Sequence, residues 1–189
     1  MPFIDLPPGL AGIAAGFAFR PEIARPMQEL AHVLMSSQSP VSCGERELIA
    51  TFVSARNGCY YCEQSHGATA ACHLGGNASL VEAVKQDSQS AAISPKLRAL
   101  LTIAGKVQED GKKLTSEDVE CARNFGATDR EIHDTVLIAA AFCMYNRYVD
   151  GLGTWQPVDP AFYAEMGRYD ATHGYLPIDS ECNAKSAQN

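Results

Sequence analysis

Apolar residues recur every three or four positions along most of the chain, which is the spacing of one buried face on an α-helix. Several runs begin at capping residues, such as Ser42-Cys43-Gly44-Glu45, where Glu45 is placed to reach back to the Ser42 amide. Helices are predicted over about residues 21–36, 42–56, 59–74, 94–110, 115–125 and 128–148, with a further short helix capped by Asn77. No segment shows sustained alternation of apolar and polar residues, so the predicted fold class is all-α, a single-domain helical bundle.

The last long helix, over about 128–148, is predicted to be the most buried of the set. Its core positions by this spacing are Ile132, Val136, Leu137, Ala140 and Met144.

The two ends of the chain differ from its middle. Residues 1–20 are rich in proline and glycine and predict an irregular arm with at most a short helix around 10–19. We therefore divide the chain into an N-terminal arm (1–20), a helical domain (21–155) and a C-terminal extension (156–189).

A faint repeat lies inside the helical domain. Residues 71–75 and the Asn77-capped helix resemble residues 122–126 and the Thr128-capped helix at an offset of 51 residues. Either an internal duplication of a helix-helix-turn-helix unit or chance would produce this pattern.

Charge and cysteine content narrow the function classes. The 189 residues carry 15 Lys+Arg against 22 Asp+Glu, a net charge of −7, and no basic cluster, which argues against nucleic acid as a partner. No apolar run approaches the ~18 residues that span a membrane, and residues 1–5 lack the pattern of a signal peptide. We expect no membrane partner and a cytoplasmic location. The seven cysteines form no regular disulfide framework, so most are expected to be reduced thiols.

Cys59 and Cys62 are the exception, because they are three residues apart and His66 follows four residues after Cys62. On one helix these three side chains share a face. Asn57-Gly58 is a good place for a break, which would put Cys59 in the first turn of a new helix. There the positive end of the helix dipole stabilises a thiolate. The arrangement predicts a dithiol that cycles through a disulfide.

A structural zinc site is the alternative interpretation of these residues. Cys59, Cys62 and His66 would need a fourth ligand, either Cys72 or His73. These two lie roughly 15 Å further along the helix at its rise per residue, too far for one metal ion unless the helix breaks. We therefore favour redox chemistry and expect no metal and no cofactor.

His66 alone would be interpreted as a core histidine, but one turn after Cys62 it can act as a proton acceptor at neutral pH. Glu47, on the preceding helix, could hold the imidazole, although an exposed helix carboxylate is equally consistent with its position. Tyr60 and Tyr61 are expected to wall a pocket or to pack a subunit contact.

Glu47, eleven further residues and then Cys59-Tyr60-Tyr61-Cys62-x-x-x-His66 resemble the signature of the AhpD-like alkylhydroperoxidases of the carboxymuconolactone decarboxylase superfamily. The similarity is greatest to its peroxidase-related proteins and extends over roughly residues 40–155. The resemblance implies an all-helical AhpD-like fold, a trimer or hexamer, and an enzyme that reduces organic hydroperoxides with electrons from a dithiol protein reductant.

The same resemblance implies a role for each site residue. Cys62 would be the peroxidatic cysteine, Cys59 the proton donor and resolving thiol, and Glu47 with His66 the proton relay. The decarboxylases of the superfamily lack the cysteine pair, which argues against lactone decarboxylation. The best-known alkylhydroperoxidases have a histidine where this chain has Tyr61. A protein thiol–disulfide oxidoreductase would need the same residues and remains the second candidate.

Overall fold

The computed structural model describes residues 1–176, and within that range the protein is entirely helical. Its α-helices are α1 (Ile13–Phe19), α2 (Pro21–Ser36), α3 (Cys43–Asn57), α4 (Tyr60–His73), α5 (Ala78–Asp87), α6 (Pro95–Glu109), α7 (Ser116–Asn124), α8 (Asp129–Gly151) and α9 (Pro160–His173), with a short 3-10 helix at Gly111–Lys113. The predicted all-α class is confirmed.

The helix starts follow the capping residues that the sequence predicts. Ser42 Oγ accepts a hydrogen bond from the Glu45 backbone, and a Glu45 oxygen accepts one from the Ser42 N–H at 3.0 Å. Thr128 caps α8 in the same way, and the side chain of Asn77 caps α5. These local bonds satisfy backbone donors that a helix leaves unpaired at its start.

Helix α3 lies at the centre of the core, in contact with α2, α4, α5, α6 and α8. Leu48, Ile49, Ala50 and Val53 are almost completely buried, and so are the residues around them from Arg46 to Ser54. The prediction that α8 is the most buried helix is therefore wrong. Helix α3 lies between its neighbours, so nearly every side chain in its first three turns is covered.

The predicted buried face of α8 is confirmed at Ile132, which is buried, and at Val136, which packs partly buried against the core, but it is wrong at the other three positions. Leu137, Ala140 and Met144 are exposed, and the core is contacted instead by Ile138, Phe142, Tyr145 and Val149. Apolar side chains occur all around this helix, so the helical period fits more than one face. Packing against α3 and α6 buries the face that carries the Phe142 and Tyr145 rings.

Both ends of the described chain pack around the cysteine pair. The short helix predicted around residues 10–19 is α1, and the extension contains α9, which packs along α4. A second apolar cluster joins Ala11, Tyr163 and Val149 to Cys59 and Cys62.

The three-part division of the chain and the internal duplication stay predictions. Residues 177–189, with Cys182, lie outside the described residues. No helix within residues 1–176 is long and apolar enough to cross a membrane.

Candidate active site

The cysteine pair lies at the junction between α3 and α4. Gly58 ends α3 in a left-handed conformation (φ 72°), which a glycine adopts at no steric cost. Cys59 follows as the N-cap of α4 with extended backbone, so the predicted position in the first turn is wrong by one residue. Of the two cysteines, Cys62 is the one that lies in the first turn, at the positive end of the helix.

The two sulfurs are buried and differ in acidity. Cys59 is 0% exposed and Cys62 is 4% exposed, and both are free thiols. A hydrogen bond from Cys59 lowers the pKa of Cys62, and the nearby His66 adds to this effect, while burial opposes it. The same hydrogen bond and burial raise the pKa of Cys59 far above its usual value. The arrangement favours a thiolate on Cys62 and a protonated Cys59.

His66 is held by a buried carboxylate. Its Nδ1 lies 2.8 Å from Glu47 Oε2, and Glu47 is only 1% exposed, so this glutamate is not an exposed helix carboxylate. Burial lowers the pKa of His66, but the charge of Glu47 and the hydrogen bond to it outweigh burial, and the net pKa is raised. The Phe142 ring packs edge-on against the imidazole, with centroids 4.5 Å apart. Nε2 is left as the ring nitrogen that can exchange a proton with Cys62.

Asn146 of α8 is a site residue that the sequence analysis missed. A hydrogen bond from its side chain helps to lower the pKa of Cys62. The amide is fixed by its own partners: Nδ2 donates to Ser54 Oγ at 3.1 Å, and Oδ1 accepts from Asn57 Nδ2 at 2.8 Å. The sequence signal for Asn146 was a polar amide inside an apolar helix. The next residue, Arg147, is exposed and donates a hydrogen bond to the Cys143 carbonyl of its own helix.

Two further missed residues come from α9 and the segment after it. The Tyr175 hydroxyl donates to Glu47 Oε1 at 2.7 Å and lies 3.2 Å from His66 Nδ1. Burial raises the pKa of Asp170 to about 6, with the nearby His66 opposing the shift. The sequence analysis assigned residues 156–189 to a C-terminal extension and predicted no helix in it, so it placed neither residue near Glu47.

Cys62 and His66 line a cavity of about 330 Å³. Its wall is mostly apolar and is built by α1, α2, α4, α8 and α9, with contributions that include Ile13, Phe17, Met27, Ala31, Phe142 and Met166. Asp170 and Tyr175 add polar groups at one side, whereas Cys59 and Glu47 lie behind the wall. A cavity of this size accommodates a small organic molecule.

Tyr61 lines the cavity, which agrees with the expectation that it walls a pocket. Its hydroxyl donates to the Met166 sulfur at 3.8 Å. Tyr60 is half-exposed and packs edge-on against Tyr163. Within residues 1–176 no group of three or more His, Cys, Asp or Glu side chains could hold a metal ion. The zinc interpretation therefore has no ligand set in the described part of the chain.

The model of the carboxymuconolactone decarboxylase family matches residues 21–106. Among solved structures, an uncharacterized peroxidase-related protein with an alkylhydroperoxidase AhpD core from Ralstonia eutropha JMP134 is 29% identical, with a TM-score of 0.75 over 84% of this chain and 82% of that one. An uncharacterized peroxidase-related protein from Silicibacter sp. TM1040 is 28% identical, with a TM-score of 0.74 over 82% of this chain and 80% of that one.

A protein of unknown function from Agrobacterium tumefaciens, provisionally named as antioxidant defence protein AhpD, is 22% identical. It shares the fold with a TM-score of 0.66, over 76% of this chain and 97% of that one. No curated protein matches the chain significantly. Residues 21–106 therefore match the carboxymuconolactone decarboxylase family, and the fold over most of the chain is similar to that of AhpD-like peroxidase-related proteins.

Proposed function

We propose that the protein is a thiol-dependent peroxidase that reduces organic hydroperoxides through Cys59 and Cys62. The observation that carries the proposal is that Cys62 lines an apolar cavity beside His66, with the buried Cys59 thiol three residues before it. The solved structures from Ralstonia eutropha and Silicibacter, which are 29% and 28% identical, are both named peroxidase-related proteins. This supports the same class of activity.

The first step is attack on the O–O bond. His66, its Nδ1 bound to Glu47, takes the Cys62 proton on Nε2, and the thiolate attacks one peroxide oxygen. The O–O bond breaks, Cys62 becomes a sulfenic acid, and the alkoxide leaves with the proton that His66 holds. The hydroperoxide is reduced to an alcohol, and the sulfur is oxidised by two electrons.

The second step closes the disulfide. The Cys59 sulfur attacks the sulfenic acid, its proton goes to the departing hydroxide, and water leaves. Cys59 is the N-cap of α4 and Cys62 lies three residues further on, in the first turn, a spacing that disulfide geometry tolerates. A dithiol protein then reduces the disulfide by thiol–disulfide exchange and returns both thiols.

A protein thiol–disulfide oxidoreductase would use the same cysteine pair. Such an enzyme has no need of an apolar cavity at Cys62 or of a carboxylate-bound histidine beside it. The cavity therefore favours a small-molecule hydroperoxide as the substrate. We also propose a cytoplasmic location, where thiols are kept reduced, and a homo-oligomer of three or six subunits.

A stoichiometric reaction tests the function. The reduced wild-type protein should consume about one equivalent of cumene hydroperoxide and lose two thiols. Cys59→Ser should consume about one equivalent and leave a sulfenic acid on Cys62 that dimedone traps. Cys62→Ser should consume almost none.

Cys121→Ser is the matched control, because Cys121 is an exposed thiol on α7 and should leave the stoichiometry unchanged. Trapping on Cys59 in the Cys62→Ser protein would reverse the two roles. No consumption by any form, together with reduction of a protein disulfide, would favour the oxidoreductase instead.

A further inference from the structure

The Tyr175 side chain reaches the centre of the site from the far end of the described chain. Its hydroxyl donates to Glu47 Oε1, and the two residues are 128 positions apart in sequence. The proton transfer proposed for the first chemical step uses Glu47 and His66, and the Tyr175 hydroxyl takes no part in it. A buried carboxylate needs a donor for each oxygen, and Tyr175 and His66 supply one each.

The backbone before Tyr175 fixes where its side chain enters. Gly174 follows α9 with φ 71° and ψ −155°, a conformation that other residues rarely adopt. The Tyr175 N–H then lies 3.4 Å from His32 Nδ1 on α2. A Cβ on Gly174 would lie 2.7 Å from that same nitrogen, so the segment lies directly on α2.

We propose that Tyr175 is a positioning residue of the Glu47–His66 relay, whose hydroxyl holds the carboxylate so that His66 presents Nε2 to Cys62. This inference rests on the function proposed above and adds a residue to the same site. It also makes the docking of the segment after α9 a requirement for an assembled relay.

The hydroxyl is suited to this task because it remains a donor. Burial and the carboxylates of Glu47 and Asp170 hold the pKa of Tyr175 well above its usual value. With Oε1 bound by Tyr175, the carboxylate cannot rotate freely, and Oε2 stays at 2.8 Å from His66 Nδ1. The imidazole then keeps Nδ1–H toward Glu47 in both protonation states.

The charged and titratable groups that face His66 are few. Glu47 of α3 and Asp170 of α9 favour its charged form, Cys62 lies on its own helix, and Tyr175 is neutral. Helix α8 contributes the Phe142 ring and the Tyr145 phenol, Tyr61 and Tyr169 line the same cavity, and the cavity walls from α1 and α2 carry no ionisable side chain. A Glu47 carboxylate that is held less firmly therefore stabilises the charged form of His66 less. A smaller population of imidazolium in turn stabilises the Cys62 thiolate less.

The test uses Tyr175→Phe, which keeps the ring and deletes the hydroxyl. In a Cys59→Ser background, the rate of Cys62 alkylation by iodoacetamide is measured from pH 5 to pH 9. We expect the pH profile to shift to higher pH. In the otherwise wild-type protein we expect kcat for cumene hydroperoxide to fall about tenfold with KM nearly unchanged.

Tyr148→Phe is the matched control, because it removes a half-buried hydroxyl that neither lines the cavity nor bonds the relay. Gly174→Ala is the second variant. It keeps the Tyr175 hydroxyl but should displace it from Glu47, so it should shift the alkylation profile in the same direction.

An alkylation pH profile in Tyr175→Phe that matches that of the Cys59→Ser parent would overturn the inference, whatever the value of kcat. Tyr175 would then be a packing residue. A shifted profile in Tyr148→Phe would overturn it as well. The alkylation measurement needs no hydroperoxide. A wild-type protein that fails to reduce hydroperoxides would therefore refute the proposed function, while the shift in Tyr175→Phe would still decide the role of Tyr175.

Discussion

Gly167 of α9 packs directly on the backbone of Ala68 in α4. A Cβ at position 167 would lie 2.6 Å from the Ala68 carbonyl carbon and 2.8 Å from the Thr69 nitrogen. Backbone atoms cannot move aside as a flexible side chain can. The close contact brings α9 onto the helix of Cys62 and His66 and so carries Asp170 and Tyr175 to the cavity.

We expect Gly167→Ala to separate α9 from α4 and to lower the free energy of unfolding by roughly 1–3 kcal/mol, as overpacked sites do. It should also slow hydroperoxide reduction, because Tyr175 moves with α9. Urea unfolding and a peroxidase assay measure the two effects. Gly151→Ala is the control, since a Cβ at the end of α8 meets no atom within 4 Å. A stable and fully active Gly167→Ala protein would contradict this account of the contact.

The sequence predicted the helices wherever a local signal was decisive. Ser42, Asn77 and Thr128 each cap a helix as expected, and Ser94 and Thr115 cap the two helices predicted to begin at about those residues. These side-chain bonds depend on three or four neighbouring residues, so they can be read from the chain alone. Asp159-Pro160 carries the same signal as Ser94-Pro95 and starts α9, although the sequence analysis did not use it.

The parts that the sequence did not predict depend on distant contacts. The choice of buried face on α8 is made by α3 and α6, because both faces of that helix are apolar. At the site, Cys62, His66 and Glu47 come from two helices joined at Gly58, so their spacing indicated proximity. Tyr175 enters from a segment that no local pattern connects to Glu47.

Glu47→Gln should slow the first chemical step by roughly 10- to 100-fold while leaving the thiol count unchanged. The amide keeps one oxygen that can accept from His66 Nδ1, while its NH2 group replaces the oxygen to which Tyr175 donates, so the variant removes the charge and that one hydrogen bond. Stopped-flow reaction with cumene hydroperoxide measures the step. Glu165→Gln changes an exposed glutamate of α9 and should react as the wild type does. An unchanged rate in Glu47→Gln would remove Glu47 from the relay.

Asn146→Leu should shift Cys62 alkylation to higher pH, because the variant removes a hydrogen bond that lowers the pKa of Cys62. It also removes the Asn146 hydrogen bonds to Ser54 and Asn57, which should cost about 1–3 kcal/mol of stability. Alkylation kinetics in a Cys59→Ser background and urea unfolding measure both. Arg147→Ala, one residue along on the exposed side, should change neither. A profile that stays in place would mean that Asn146 does not act on Cys62.

The protein should be an oligomer at micromolar concentration. Phe3, Trp155 and Val158 are 76%, 53% and 82% exposed, and the Phe3 N–H bonds the Leu152 carbonyl close to Trp155 in the chain. Exposed aromatic residues of this kind are favoured at subunit contacts. Light scattering should give three or six times the subunit mass, and Trp155→Glu should lower it. Phe125→Glu, at an exposed aromatic after α7, should not. A monomer mass for the wild type would refute the prediction.

Asp170→Asn should stabilise the protein at neutral pH and lose that advantage in acid. Burial raises the pKa of Asp170 to about 6, above the ordinary value of 3.8, while His66 and His173 oppose the shift and Glu47 adds to it. Between these two values the folded protein binds more protons than the unfolded chain, so stability falls as pH rises from about 4 to about 6.

The penalty for the charged carboxylate is therefore fully present above about pH 6 and absent below about pH 4. Asparagine carries no charge, so the variant should gain roughly 1–3 kcal/mol at pH 7.5 and nothing at pH 4. Urea unfolding at the two pH values measures the difference. An equal gain at both would assign the effect to packing, and a loss at pH 7.5 would mean that the Asp170 charge stabilises the fold through His66.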